Sequence, residues 1–195
     1  MKKAKVIVLA SGNGSNFQAL IDACKKPRYP VKIQALITNV DDCYARVRAK
    51  EAKISSIAIS SKYWTDRVAW EQSIVNTILQ YDPDIICLAG FMKILSPKFF
   101  RQWTKPVLNI HPSLLPAFKG LDAQKQAFDA GVKETGCTVH YVDHTLDGGE
   151  IIGQRKVRVA KRDTQGSLAA KILKQEHKLY TDILKKVAKE VLKNR

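Results

Sequence analysis

Apolar blocks alternate with short polar turns from the start of the chain. "AKVIVLA" (Ala4 to Ala10) is a continuous apolar run closed by "SGNGSN", and from Ser15 "SNFQALIDACKK" returns apolar residues at helical spacing. An unbroken apolar run bounded by a glycine turn predicts a buried strand, and the spacing after it predicts a helix. The rhythm repeats: "VKIQALIT" (Val31 to Thr38) predicts a second strand and "CYARVRAKEAK" a helix. "ISSIAIS" predicts a short third strand and "DRVAWEQSIVNTILQY" (Asp66 to Tyr81) a longer helix. Asp82 and Pro83 end that helix before the apolar strand "DIICLAG" (Asp84 to Gly90). A short helical piece at "SPKFFRQW" leads into the strand "VLNIH" (Val107 to His111).

Beyond Gly120 the pattern changes. A helix near "AQKQAFDAG" precedes two strands, "GCTVHYVD" and "EIIGQRKVRV", joined by "HTLDGG" closely enough to pair antiparallel. From Thr164 to about Lys193, Leu168, Ile172, Leu179, Ile183, Val187 and Val191 share one stripe of a long amphipathic helix, lysine-rich towards its end. Strands alternating with helices predict an α/β fold. Its sheet of about seven strands should be mostly parallel, with helices on both faces, an antiparallel strand towards the C-terminal side and a long closing helix. No repeat or linker interrupts the pattern, so residues 1–195 are expected to form a single domain.

Composition narrows the class. With 45% hydrophobic and 26% charged residues the chain reads as globular, and no run of about 18 apolar residues predicts a membrane span. "MKKAKVIVLASG" imitates a signal peptide, but "VIVLA" is shorter than the roughly 7 to 15 residues such a segment needs. Cys24, Cys43, Cys87 and Cys137 are far apart, without metal-ligand spacing, which fits inert thiols in a reducing cytoplasm. The net charge of +15 attracts anions. Nucleic acid, a phosphorylated substrate and a polycarboxylate would each satisfy it; so would a solvated surface, since many lysines lie on the last helix.

"SGNGSN" opens the first helix, where free N–H groups and the dipole suit an anion. It is not a P-loop, lacking G-K-[ST], nor a dinucleotide loop, which needs a third glycine where Phe17 stands. Gly14, Ser15 and Asn16 offer donors for one phosphate; equally, Ser15 or Asn16 simply caps the helix.

"LNIHPSLLP" holds the candidate chemistry. Asn109 and His111 occupy alternate strand positions and so project together at the carboxyl end, where open α/β sheets bind ligands. Pro112 and Pro116 stiffen the loop that follows. A fixed amide beside a titratable imidazole suits acyl transfer: Asn109 donates to a developing oxyanion while His111 donates or passes protons. In "TLDGGE" a flexible glycine pair lets the loop carry Asp147 to the imidazole, where a carboxylate favours the charged ring. An Asp before Gly-Gly is ordinarily a turn residue, and a lone strand-end histidine is ordinarily structural. No serine or cysteine stands in a nucleophile-elbow pattern, so the nucleophile is expected to be the substrate's own amine or water.

"SGNGSN", "LAGFMKILS", "LNIHPSLLP", "GCTVHYVDHTLDGGEII" and "QEHKLY", in this order over essentially the whole length, resemble the phosphoribosylglycinamide formyltransferase family of purine biosynthesis. The resemblance implies a Rossmann-like fold without metal. It implies transfer of a formyl group from 10-formyltetrahydrofolate, as co-substrate, to the amine of glycinamide ribonucleotide in the cytoplasm. His111 would be the proton donor, Asn109 the oxyanion partner and Asp147 the group that keeps the imidazole charged and relays protons. Gly14, Ser15 and Asn16 would hold the ribonucleotide phosphate and Glu176 its glycinamide end. Arg67, Met92, Lys93, Ile94 and Leu95, with Asn109 and the loop Asp143, His144, Thr145, Leu146 and Asp147, would line the folate pocket, largely with backbone groups. The chain is expected to divide broadly into a phosphate-binding half, about residues 1–100, and a folate-binding and catalytic half, about residues 101–195, with Arg67, Met92 to Leu95 and Glu176 crossing that division. Without the resemblance Arg67 reads as a solvated charge, Met92 and Leu95 as core, and Glu176 as surface.

The chain departs from the family pattern at Asp122, where histidine is usual, and at Leu173, where a polar substrate contact is common; Lys171 is placed to take over part of the phosphate binding. Rival readings are a formyltetrahydrofolate deformylase, expected to carry an added N-terminal regulatory domain, and a methionyl-tRNA formyltransferase, expected to carry a C-terminal RNA-binding barrel. Against a nucleic-acid-binding module, no RNP-type aromatic pattern or zinc-finger spacing appears. Monomer and homodimer both remain open.

Overall fold

In the computed structural model, which describes residues 2–195, strand β1 (Ala4–Leu9) is an interior strand of the sheet, as its apolar residues on both faces require. Its Val6 and Val8 enter one apolar cluster and its Ile7 and Leu9 another. The remaining strands are β2 (Val31–Thr38), β3 (Ser55–Ala58), β4 (Ile85–Leu88), β5 (Val107–His111), β6 (Glu134–Tyr141) and β7 (Ile151–Arg158). They form one seven-stranded sheet in the order β3-β2-β1-β4-β5-β6-β7. The first five run parallel, and β6 pairs antiparallel with both β5 and β7. The predicted Rossmann-like architecture is therefore present.

Six helices cover the sheet: α1 (Ser15–Cys24), α2 (Tyr44–Glu51), α3 (Arg67–Tyr81), α4 (Pro97–Gln102), α5 (Ala123–Asp129) and α6 (Gln165–Lys193). Phe17 and Leu20 of α1, Ala45 and Ala49 of α2, and the α6 stripe from Leu168 to Ala188 fill the first cluster. Trp70, Ile74, Val75 and Ile78 of α3 and Phe99 of α4 fill the second. Of the stripe read from the sequence, Val191 is the one residue only partly buried.

Two helices start one residue later than their apolar pattern suggested, because the first polar residue caps. Asp66 accepts from the Val68 and Ala69 N–H groups, at 2.8 and 3.1 Å. Thr164 and Ser167 exchange bonds in a capping box at 3.2 and 3.0 Å. Asp84 falls outside β4 and instead takes the Lys5 N–H at 2.7 Å.

Sequential strands add outwards from β1 on one side and from β4 on the other, so the strand order reverses between these two neighbours. A crevice opens at such a point beyond the carboxyl ends of the strands. Helix α6 reaches the strand ends beside it. The buried Tyr180 hydroxyl is bonded to the Leu88 and Leu108 carbonyls, at 2.9 and 3.1 Å, tying the ends of β4 and β5 together next to Asn109. Tyr180→Phe removes this donor and is expected to lower unfolding free energy by about 1–3 kcal/mol, read from urea unfolding midpoints. Among the described residues no helix is long and apolar enough to cross a membrane.

Candidate active site

Asn109 and His111 share the face of β5 opposite Leu108 and Ile110, which are buried in the first cluster. Directly across the antiparallel ladder, Asn109 pairs with His140 and His111 with Thr138. The β6–β7 register shifts between Val139 and His140, so the strand is irregular where His140 enters the site. His140 is the residue the sequence reading missed. Its Nδ1 lies 2.8 Å from the Tyr141 carbonyl, which only accepts, so Nδ1 carries the proton. Nε2 is then free to accept from Asn109 Nδ2 at 3.1 Å. Burial holds the His140 pKa below its ordinary 6.5, against smaller raising effects from the Tyr141 carbonyl and the Asp147 charge. The neutral ring thus fixes the Asn109 carboxamide and leaves its second N–H for another acceptor.

Asp147 reaches both imidazoles. Its Oδ2 lies 3.4 Å from His111 Nδ1 and its Oδ1 3.8 Å from His140 Nε2. The Gly120 N–H holds the carboxylate at 2.9 Å. His111 is buried, and its Nε2 contacts the Phe118 carbonyl at 2.8 Å. Each ring nitrogen therefore faces an acceptor, and a ring carrying both protons donates to each. The 3.4 Å separation is longer than the roughly 2.7–2.9 Å of a tight charge-assisted bond, as is common before substrate arrives.

The glycine pair serves a different purpose from the flexibility read in the sequence. A Cβ on Gly149 would run into the Tyr141 carbonyl oxygen, and one on Gly148 into the Thr145 hydroxyl. The pair lets the loop close tightly, while Asp147 itself takes the left-handed conformation at φ 47°.

The phosphate-loop candidates divide. Ser15 and Asn16 do not cap α1; Gly14 is the N-cap, at φ 72°, and no side chain caps the helix. Asn16 is buried and its Nδ2 donates to Glu176 Oε2 at 2.6 Å. Glu176 is correspondingly no surface residue: it is 5% exposed, and burial raises its pKa above the ordinary carboxylate range, offset in part by Asn16. Arg48, also missed, braces the loop from α2 through the Asn13 carbonyl (2.9 Å) and side chain (3.0 Å). Lys171 instead binds Asp163 at 2.6 Å. A Cβ on Gly14 would sit 2.7 Å from that of Ala45, in backbone that disfavours L side chains. Gly14→Ala is expected to cost about 1–3 kcal/mol of stability and to raise the KM for a phosphorylated substrate, checked by denaturation and steady-state kinetics.

Arg67, Met92, Lys93 and Ile94 line a cavity of about 410 Å³ with Trp64 and Trp70. Leu95 does not; it is buried in the second cluster. Met92, read as core without the resemblance, is 60% exposed. Arg67 Nη2 donates to the Ile94 carbonyl at 3.1 Å. Asp143, His144, Thr145 and Leu146 lie off this cavity in a separate loop, where the Asp143 carboxylate accepts from the Thr145 N–H (2.7 Å) and hydroxyl (2.5 Å). Asp122 takes the left-handed N-cap position of α5 without making a side-chain cap. Ser11 joins the glycine loop to the segment after β4: its N–H donates to the Gly90 carbonyl at 2.9 Å, and its hydroxyl accepts from the Met92 N–H at 2.8 Å.

All four cysteines are free, and burial pushes the Cys87 and Cys137 thiols up to about 12 and Cys24 to about 11. Among the described residues no group of three or more histidine, cysteine, aspartate or glutamate side chains is arranged to hold a metal ion.

Residues 4–184 match the formyl transferase family. The chain is 44% identical to the trifunctional purine biosynthetic protein adenosine-3 of Bos taurus over 96% of its own length, and it spans 18% of that protein. It is 41% identical to the phosphoribosylglycinamide formyltransferase of Escherichia coli strain K12, over 90% of this chain and 82% of that one. The crystal structure of glycinamide ribonucleotide transformylase 1 from Symbiobacterium toebii superposes with a TM-score of 0.93 at 37% identity, covering 96% and 89% of the two chains. The chain belongs to the formyl transferase family, among its phosphoribosylglycinamide formyltransferases.

Proposed function

We propose that the protein transfers a formyl group from 10-formyltetrahydrofolate to the amine of glycinamide ribonucleotide, yielding formylglycinamide ribonucleotide and tetrahydrofolate in de novo purine (IMP) synthesis. The observation that carries this reading is the gathering of Asn109 and His111 at the end of β5 with Asp147, which lies 3.4 Å from His111 and 3.8 Å from His140, the ring bonded to Asn109 at 3.1 Å. Residues distant in the chain converge there with no nucleophilic side chain among them, which suits an acyl group passing to an external amine.

In this reading Gly14, Ser15 and Asn16 bind the ribonucleotide phosphate at the start of α1, and Glu176 holds its glycinamide end. Arg67, the segment Met92 to Leu95 and the loop 143–147 receive the folate. Each half of the chain thus contributes to both substrates. The neutral amine attacks the formyl carbon, and the free Asn109 N–H steadies the oxygen as it gains charge. One such donor is worth roughly a hundredfold to a thousandfold in rate. His111 turns from Asp147 towards that oxygen as the second donor. The carbon–nitrogen bond to folate then breaks, and the proton lost by the new ammonium reaches the departing nitrogen through Asp147 or water. Holding the two reactants together supplies several further kcal/mol. The free thiols, three of them buried, suit a cytoplasmic setting.

The test mixes purified protein with 10-formyltetrahydrofolate, with and without glycinamide ribonucleotide. Release of tetrahydrofolate only with the ribonucleotide supports the transferase. Release in both reactions selects the deformylase, and release in neither, with salt-sensitive RNA binding, selects the nucleic-acid module.

A further inference from the structure

Glu71 on α3 is 5% exposed, yet the described residues offer it no ion pair. Its companions on the buried face of α3 are Trp70, Ile74, Val75 and Ile78. An unpaired carboxylate in such surroundings is costly, and an apolar side chain of similar size would serve packing alone at least as well. What the carboxylate does instead is hold Ser96. Its Oε1 accepts from the Ser96 N–H at 2.7 Å, and its Oε2 accepts from the Ser96 hydroxyl. Ser96 occupies the N-cap of α4 but makes no side-chain cap, because its hydroxyl is turned to Glu71.

The segment ending at Ser96 is the wall of the cavity described above. Arg67, one helical turn before Glu71, grips the same segment at the Ile94 carbonyl, and Ser11 fixes its start at the Met92 N–H. Between these anchors the N–H groups of Lys93, Ile94 and Leu95 make no hydrogen bond among the described residues. These unbonded donors lie in a segment held at both ends.

We infer that Glu71 is a positioning residue for the formyl donor: by fixing Ser96 it keeps the 93–95 backbone ready to receive the folate ring system. The inference rests on the proposed formyl transfer and adds to it a residue that touches neither substrate. With Glu71 removed, the segment must be ordered when the donor binds, and that entropy is charged to donor affinity.

Steady-state kinetics of the full chain tests this. Glu71→Ala is expected to raise the KM for 10-formyltetrahydrofolate about tenfold, the cost of ordering roughly one residue. The KM for glycinamide ribonucleotide and kcat should change by less than about twofold, since Asn109, His111 and Asp147 are untouched. Glu71→Gln, whose carbonyl still accepts from the Ser96 N–H and whose amide can donate to the Ser96 hydroxyl, should recover a donor KM within about twofold of the parent. Should Glu71→Ala fail to fold, Ser96→Ala carries the test with a smaller rise of about threefold, since it removes one of the two bonds. An unchanged donor KM in the folded variant, an equal loss with the glutamine, or a fall in kcat with both KM values unmoved overturns the inference. Failure of the parent protein to transfer formyl at all overturns the underlying function instead.

Discussion

Asp147→Asn is expected to lower kcat for formyl transfer by about a hundredfold to ten-thousandfold while the protein stays folded. The substitution preserves shape, and the carboxamide oxygen can still accept the Gly120 N–H that holds the loop. What changes is the partner seen by His111. With a carboxylate at Nδ1 and the Phe118 carbonyl at Nε2, both nitrogens face acceptors, and the charged ring satisfies the pocket. With asparagine, the carbonyl that keeps the Gly120 N–H is the same atom that faces Nδ1, so His111 meets a neutral acceptor and the charged ring loses its counter-charge. The proton needed at the developing oxyanion is then less available, and the carboxylate that would carry one away is absent. His111→Ala should fall by a similar factor. The double variant should be little worse than either alone, because residues that act as a unit do not add. Single-turnover rates with circular dichroism decide the matter: near-parental turnover in folded Asp147→Asn refutes the assignment.

The features most legible in the sequence were those set by local periodicity. The apolar runs of β1 and β2 and the stripe of α6 follow from burial alone, and the alternate placement of Asn109 and His111 follows from strand geometry. Features that depend on register between distant strands were hidden. His140 reads as one more residue of an apolar strand until the β5–β6 pairing sets it beside Asn109. Glu176 and Asn16 looked like a surface charge and a helix cap because their burial depends on α6 lying over α1, a contact that no spacing expresses. The same holds for Glu71, whose helical position gives no sign that Ser96 will fold back onto it. The glycine pair after Asp147 misleads for another reason. Absence of a side chain reads as freedom in a sequence, whereas here it admits close approach of the Tyr141 carbonyl. The family resemblance puts Leu95 in the folate pocket with its neighbours, but its side chain turns into the core while Met92 and Ile94 face outwards.

Asn109→Ala is expected to lower kcat by about a hundredfold to a thousandfold, the usual loss for one oxyanion donor, with little change in either KM. The Asn109–His140 bond adds a pH dependence to this donor. Neutral His140 accepts at Nε2, so the Asn109 NH₂ group turns towards it and keeps one N–H for the substrate. A protonated His140 can only donate. Asn109 then gains by turning its carbonyl to the ring, which swings the NH₂ group away from its catalytic position. Asp147 and Asp143 favour the charged ring and His111 opposes it, but burial dominates and places the transition below 6.5. Turnover should therefore hold as pH falls to about 6.5 and drop as it passes through the lowered pKa. Stability follows the same sign: folding favours the neutral ring, so its contribution is complete above the unfolded pKa and is lost on acidification. His140→Ala removes the acceptor that orients Asn109 and should lower kcat by about tenfold, within the usual worth of one hydrogen bond. It should also remove the part of the acid limb that belongs to this ring. A His140→Ala profile that keeps the parental acid limb unchanged would show that some other group sets it, and that the orientation of Asn109 does not depend on this histidine.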